Sequence, residues 1–379
     1  AHALAPTPAP RMESALRRSP AAADGGSSSR GRRRAALVAG HVAGAVRFCR
    51  PVPVPVAGEE APGQPETPTV VMLEAPAEDA IPQHLVEEAF RAHDLKVAWA
   101  TGSLDEVARD AVVLVTVKRQ IDAALLDRLP AVRLIAVAFT GYDHVDFECC
   151  SKRGIAVANV PGYSTDGVAE LVFGLMFALL RHIPIAHQHM RAGHWNWPPG
   201  NELSGKSMGL IGTGEIGMRV AEIAKAFKVK KVLGYDVSHN PKFADIGGEY
   251  VSSLATLFLH ADILVVACSL TKDTRGLIGR KLLRLMRPDS VIINCARGAI
   301  IEQEALIEML REGRFRAGLD NYEVEPLPAD HPLRSLPEDR LVTVPHLAYK
   351  CHESLRRRQD VTLANILAYL ADNPQNIVN

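Results

Sequence analysis

The sequence predicts an α/β protein with two doubly wound parallel sheets. Three observations carry that prediction. From Thr69 onward, short apolar runs alternate with helical patterns, as βαβ units require. The run Met208-Gly209-Leu210-Ile211 passes into Gly212-Thr213-Gly214-Glu215-Ile216-Gly217 and then into the helical stretch MRVAEIAKAF. The segment DGVAELVFGLMFALLRHI (166–183) is apolar nearly all round and long enough for a helix buried between two domains. At 379 residues the chain has room for both domains.

The elements follow in order. TVVML (69–73) reads as a strand, PQHLVEEAFRAH (82–93) as a helix, KVAWA (96–100) and VVLVT (112–116) as strands. DAALLDRLP (122–130) reads as a helix, RLIAVAF (133–139) and IAVAN (155–159) as strands. After the glycine-rich unit come strands ADILVVAC (261–268), SVIINC (290–295), RAGLD (316–320) and LVTV (341–344). SLRRRQDVTLANILAYLAD (354–372) reads as a final helix. The expected layout is a nucleotide-binding domain over 167–346. It is inserted in a first domain made of 69–166 and 347–379, whose last helix comes from the C-terminus.

Residues 1–68 differ from the rest. They are rich in Ala, Pro, Ser, Gly and Arg, with Arg30-Gly31-Arg32-Arg33-Arg34 and few acids before Glu59, and read as a disordered leader. This composition suits a chloroplast or mitochondrial transit peptide. An unselected GC-rich leader fits it equally, and the expected location is then cytoplasmic. Lys+Arg and Asp+Glu both total 43, so no net field favours nucleic acid or a membrane surface as partner. No apolar run reaches the roughly 18 residues of a transmembrane helix. Cys49, Cys149, Cys150, Cys268, Cys295 and Cys351 form no CxxC or zinc-like spacing. They read as free thiols rather than a disulfide framework, and no metal site is expected.

Each part of the glycine turn has a physical task. Gly212 allows the tight turn, Gly214 lets a pyrophosphate approach the backbone, and Gly217 lets the helix pack closely. The helix start offers N–H groups and a positive dipole end to phosphates. The next strand, VLGYD, ends in Asp236, which can accept hydrogen bonds from ribose hydroxyls. No basic residue follows directly in Asp236-Val237-Ser238-His239-Asn240, so NAD(H) is favoured over NADP(H).

Ligands of open α/β sheets sit beyond the carboxyl ends of the strands. Strand 290–295 leads there to Arg297, strand 316–320 to Asp320 and Glu323-Val324-Glu325-Pro326, and strand 341–344 to Pro345-His346. An arginine can hold a carboxylate and polarise the adjacent carbonyl. A histidine can protonate a developing alkoxide, and a carboxylate beside it fixes its orientation. That trio suits hydride transfer to a 2-oxo acid. Small neighbours Ala296, Gly298 and Ala299 suit close approach of a ligand to Arg297. Lys118-Arg119 reads as a solvated loop pair; facing the cleft instead, it would favour a larger or doubly charged substrate.

Seven segments, in order, resemble the D-isomer-specific 2-hydroxyacid dehydrogenase family over about residues 69–375. They are VAFTGYDHVD (137–146), NVPGYSTDGVAE (159–170), GLIGTGEIG (209–217), SLTKDTRGLIG (269–279), NCARGAIIEQEAL (294–306), GLDNYEVEPLPADHP (318–332) and VPHLAY (344–349). The resemblance implies a Rossmann NAD-binding domain inserted in a flavodoxin-like substrate domain. It implies that Arg297 binds substrate, that His346 is the acid/base and that Glu325, just before Pro326, is its partner. Backbone N–H groups of Thr140, Gly141 and Tyr142 would meet the substrate carboxylate. Thr213, Gly214, Glu215, Ile216 and Gly217 would hold the pyrophosphate, Asp236 the adenosine ribose and Asp320 the nicotinamide carboxamide. Cys268, Ser269, Cys295 and Ala296 would line the cofactor cleft. Cys268, Cys295 and Asn321 depart from the usual pattern.

The implied activity is NAD(H)-dependent reduction of a small 2-oxo acid, with glyoxylate or hydroxypyruvate favoured by the run EPLPADHPL. A D-lactate dehydrogenase, towards which HLAY leans, is the alternative within the family. An NAD-sensing, corepressor-like binding protein is the alternative outside catalysis. A homodimer fits the family, and Trp195 and Trp197 in GHWNWPPG read as interface or core aromatics.

Overall fold

The computed structural model describes residues 68–74, 83–100 and 109–379. The leader expected over 1–68 lies, apart from Pro68, outside the described residues. Two separate all-parallel sheets organise the rest.

The first sheet has the order β2-β1-β3-β4-β5. Its strands are β1 Thr69–Met72, β2 Lys96–Trp99, β3 Ala111–Thr116, β4 Leu134–Val137 and β5 Ala156–Ala158. This is the flavodoxin-like order. The central strands read almost wholly apolar because both faces are covered. Val71, Leu114 and Ile135 enter one core cluster, and Val70, Val113 and Leu134 the other. The final helix, His352–Leu370, packs back on β4. Asn365 Nδ2 donates to Asn159 O at 2.8 Å, and Tyr369 Oη to Arg133 O at 3.0 Å.

The second sheet has the order β12-β11-β10-β9-β6-β7-β8. Its strands are β6 Ser207–Ile211, β7 Lys231–Tyr235, β8 Gly248–Tyr250, β9 Ile263–Val266, β10 Val291–Asn294, β11 Arg316–Leu319 and β12 Leu341–Thr343. Chain order reverses between β6 and β9, the Rossmann switch point at which ligands bind. The short edge strand β8 has no apolar run and escapes sequence reading.

The apolar segment expected to be one helix over 166–183 is broken. Thr165–Leu180 is helical, His182 takes a left-handed backbone (φ 55°), and Ile183–Arg191 begins a second helix with Pro184 in its first turn. Pro184 has no N–H to give the Leu180 carbonyl and its ring would clash with it, so the first helix cannot run through this point, whereas proline fits the first turn of a new one. The first helix buries Val168, Val172, Leu175, Met176 and Leu179 against Leu210, Val220, Val265 and Ile293. Trp197 packs at 4.5 Å on the His189 ring, whereas Trp195 is 81% exposed.

Candidate active site

The switch point carries the glycine turn as its chemistry demands. Gly212 has φ 102°, a left-handed backbone that a side chain would strain. A Cβ on Gly217 would lie 3.1 Å from Gly212 C and nearer still to its carbonyl oxygen. A Cβ on Gly214 would meet no protein atom within 4 Å, so the space before the helix Glu215–Ala226 is open. The first-turn N–H groups of that helix have no intrahelical acceptor. An open cradle, free donors and a positive helix end fit a dinucleotide pyrophosphate.

Thr213 is engaged within the protein. It is buried, and its N–H and Oγ1 donate to Asp236 Oδ2 at 2.7 and 3.2 Å. Thr213 therefore ties the turn to the end of β7. Asp236 Oδ1 also accepts from Ser238 N–H at 3.1 Å, which holds the carboxylate at the strand end.

A cavity of about 660 Å³ lies between the two sheets. Thr140, Gly141 and Tyr142 line it from the first sheet, and Cys268, Ser269, Cys295, Ala296, Arg297, Asp320 and His346 from the second. The structure thus brings the expected substrate residues and the expected lining of the cofactor cleft to one space, while of the glycine turn only Ile216 reaches it. Burial pushes the Cys268 thiol up to about 11 and the Cys295 thiol well above its usual value, so both stay neutral near pH 7.

His346 Nδ1 lies 2.6 Å from Glu325 Oε2. Two acids, Glu323 and Glu325, follow the strand end in sequence. The distance selects Glu325, which also accepts from Tyr322 N–H at 3.1 Å through Oε1. Burial alone would raise the Glu325 carboxyl. The hydrogen bond and charge of His346, the Tyr322 N–H and the Lys118 ammonium outweigh it and hold it at about 2. Phe139 and Tyr349 present ring edges to the imidazole, with centroids 6.1 and 5.7 Å away. Nδ1 faces the carboxylate, so Nε2 is the atom left for a substrate.

Asp320 is fully buried. Its Oδ1 accepts from Leu347 N–H at 2.7 Å and its Oδ2 from Ala348 N–H at 3.3 Å. Its carbonyl accepts from His346 N–H at 2.9 Å. Asp320 therefore fastens the turn that carries His346, whose backbone is left-handed at φ 48°. Burial raises its carboxyl, against the pull of His346 and the two N–H groups.

Arg297 projects from the turn after β10. Its Nε and Nη2 donate to Asp143 Oδ1 at 3.3 and 3.2 Å, and its Nη1 to Ala296 O at 2.9 Å. The guanidinium lies 5.7 Å from the Phe139 ring centre and rests on Gly141, where a Cβ would be 3.0 Å from Cζ and nearer to Nη2. Gly298 has another reason than ligand approach. A Cβ there would lie 2.5 Å from Glu323 N and from Tyr322 O. The turn bearing Arg297 is thus packed directly on the backbone that leads to Glu325.

Sequence reasoning missed the part of Lys118. Its Nζ lies 3.0 Å from His346 Nδ1 and 3.3 Å from Glu325 Oε2. Nor did the sequence mark Glu74, whose Oε1 accepts from Thr116 Oγ1 and from the N–H groups of Val117, Lys118 and Arg119 at 2.6–3.0 Å. An acid directly after β1 was the one available signal.

Comparison with known proteins identifies the family. Residues 173–348 match the family model for the NAD-binding domain of D-isomer specific 2-hydroxyacid dehydrogenases. A glyoxylate reductase of Thermococcus litoralis is 36% identical over 73% of this chain and 86% of its own length. A hydroxypyruvate reductase of Blautia hydrogenotrophica is 32% identical over 71% of this chain and 85% of its own. The structure of Aquifex aeolicus D-lactate dehydrogenase, complexed with NAD and lactic acid, superposes with a TM-score of 0.73 at 27% identity. That match covers 80% of this chain and 96% of the other.

Proposed function

The chain belongs to the D-isomer specific 2-hydroxyacid dehydrogenase family, and from that premise we propose that it reduces glyoxylate or hydroxypyruvate with NADH. It is an NAD-dependent oxidoreductase acting on 2-hydroxy acids. The observation that carries the catalytic reading is His346, held 2.6 Å from Glu325 and lining the same cavity as Arg297, while the glyoxylate and hydroxypyruvate reductase relatives support the choice of substrate.

The Glu215–Ala226 helix start and the open side of Gly214 would hold the pyrophosphate of NADH, and Asp236 its adenosine ribose; the cofactor, when bound, would supply a hydride for C2 of the oxo acid. The Arg297 fork binds the substrate carboxylate and polarises the carbonyl, aided by the Gly141 and Tyr142 backbone. As negative charge grows on the carbonyl oxygen, His346 Nε2 gives it a proton. Glu325 keeps the imidazole oriented and stabilises its charged form. Phe139 and Tyr349 limit water around the imidazole. In the oxidative direction His346 Nε2 takes the proton back.

The test is loss of NADH absorbance with glyoxylate, hydroxypyruvate, pyruvate, phenylpyruvate and 3-phosphohydroxypyruvate, repeated with NADPH. Fast turnover of glyoxylate or hydroxypyruvate supports the proposal. Preference for pyruvate replaces it with a D-lactate dehydrogenase. Tight NADH binding without turnover of any of them points to a binding protein. We also propose a homodimer, with Ile183, Met190 and Trp195 as exposed apolar contacts; light scattering at the monomer mass would refute it.

A further inference from the structure

We propose that Lys118 is a positioning residue of the acid/base unit, holding the Glu325 carboxylate and setting the pH at which His346 changes from proton donor to proton acceptor. The inference rests on the roles given above to His346 and Glu325.

The geometry is a triangle. Lys118 Nζ, His346 Nδ1 and Glu325 Oε2 are separated by 3.0, 2.6 and 3.3 Å. Nδ1 has a single in-plane position for a hydrogen bond, and two arrangements compete for it. With a proton on Nδ1, the imidazole donates to Glu325, and Lys118 donates to the same carboxylate. Without it, Nδ1 accepts from Lys118, and the remaining proton sits on Nε2. The first arrangement orients a charged imidazole for donation from Nε2, or a neutral one for acceptance there. The second is a neutral tautomer whose Nε2 can accept nothing. Lys118 is bound to Glu325 in the first arrangement, and this secures the carboxylate for Nδ1–H.

The charges around the imidazole come from several elements. Glu325 and Asp320 face it from the end of β11 and the following loop, and both favour the imidazolium. Lys118 faces it from the turn after β3. Arg297, after β10, lines the same cavity and, like the imidazole, lies beside Phe139. Lys118 offsets one of the two carboxylates beside the imidazole.

The lysine is not a loosely held surface cation. Three consecutive N–H groups of its turn, and the Thr116 hydroxyl, close on the single Glu74 Oε1. That concentration of donors makes a rigid nest and fixes the base of the Lys118 side chain. The ammonium also lies 5.8 Å from the centre of the Tyr349 ring, one of the two rings beside His346.

The experiment uses the full chain and its Lys118→Met, Lys118→Arg and Glu74→Ala variants. The first readout is the alkaline limb of kcat/KM for NADH-dependent reduction of glyoxylate. The second is carbethoxylation of His346 by diethyl pyrocarbonate, followed by peptide mass spectrometry across pH. The second needs no turnover, so a chain that reduces no oxo acid, which would sink the functional reading, still tests Lys118. Lys118→Met is expected to move the limb and the modification midpoint up by about one pH unit, the low end for a near charge because Lys118 is 44% exposed. Glu74→Ala shifts both in the same direction, and Lys118→Arg largely restores them. A Lys118→Met midpoint within about 0.2 unit of wild type overturns the proposal. So does a loss confined to KM, which would make Lys118 a substrate contact.

Discussion

Replacing Gly298 with alanine tests whether the two halves of the catalytic unit are held by direct backbone packing. The added Cβ would lie 2.5 Å from both Glu323 N and Tyr322 O, and nearer still to Tyr322 C. Carbon contacts are comfortable at about 3.5–4.0 Å, so the two backbones must part by roughly 1 Å. No rotamer change can relieve this, because every neighbour in the overlap belongs to the main chain. One side of the overlap carries Arg297. The other leads in two residues to Glu325, whose carboxylate touches His346. A displacement of about 1 Å among reacting groups costs on the order of 100-fold in rate. Overpacking of this kind costs about 1–3 kcal/mol in stability. The expected result for Gly298→Ala is kcat/KM reduced about 100-fold and a Tm lowered by several degrees, with NADH affinity close to wild type. Steady-state kinetics, thermal unfolding and NADH fluorescence titration measure the three quantities. Wild-type kcat/KM at an unchanged Tm would refute the packing argument.

Three further outcomes are expected. Gly141→Ala should push the Arg297 guanidinium off its seat and raise KM about tenfold at nearly constant NADH Kd; an unchanged KM would remove Gly141 from the arginine's support. Glu325 has its carboxyl lowered from 4.5 to about 2, so its contribution to stability is present above pH 4.5 and is lost as pH falls towards 2. Tm measured against pH should therefore fall less steeply over that window in Glu325→Gln than in wild type, and parallel curves would contradict the assignment. Asp236→Ser removes the negative charge at the end of β7, and the ratio of NADH to NADPH efficiency should drop by about tenfold or more; an unaltered ratio would show that cofactor choice resides elsewhere.

Much of the architecture was legible before any coordinates. Strands such as VVLVT and SVIINC show as apolar runs because parallel strands covered on both faces need them. The glycine turn was readable position by position, since Gly212 and Gly217 are demanded by local backbone geometry and close packing. Arg297, Glu325 and His346 could be aligned on one side because strand ends of a parallel sheet point the same way. The helix break at His182 was also written locally, in Pro184, but the apolar run around it concealed the signal.

Other features depend on segments far apart in sequence. Lys118 meets Glu325 across 207 residues and His346 across 228, and nothing near Lys118 distinguishes it from a solvated loop cation. Glu74 is one acid after one strand until the β3 turn folds over it. Both oxygens of Asp320 hold the His346 turn, a support that its position after the strand does not reveal. Gly298 looked like room for substrate and is instead room for the Tyr322–Glu323 backbone. The sequence by itself determined the two parallel sheets and the dinucleotide turn, through short-range periodicity and backbone freedom. Strand direction placed Arg297, His346 and two acids on one side, and the family resemblance singled out Glu325 to complete the candidate trio. Only the tertiary structure decided which groups support that trio, because hydrogen bonds and ion pairs reach about 3 Å and the chain brings its distant segments that close only when both sheets are assembled.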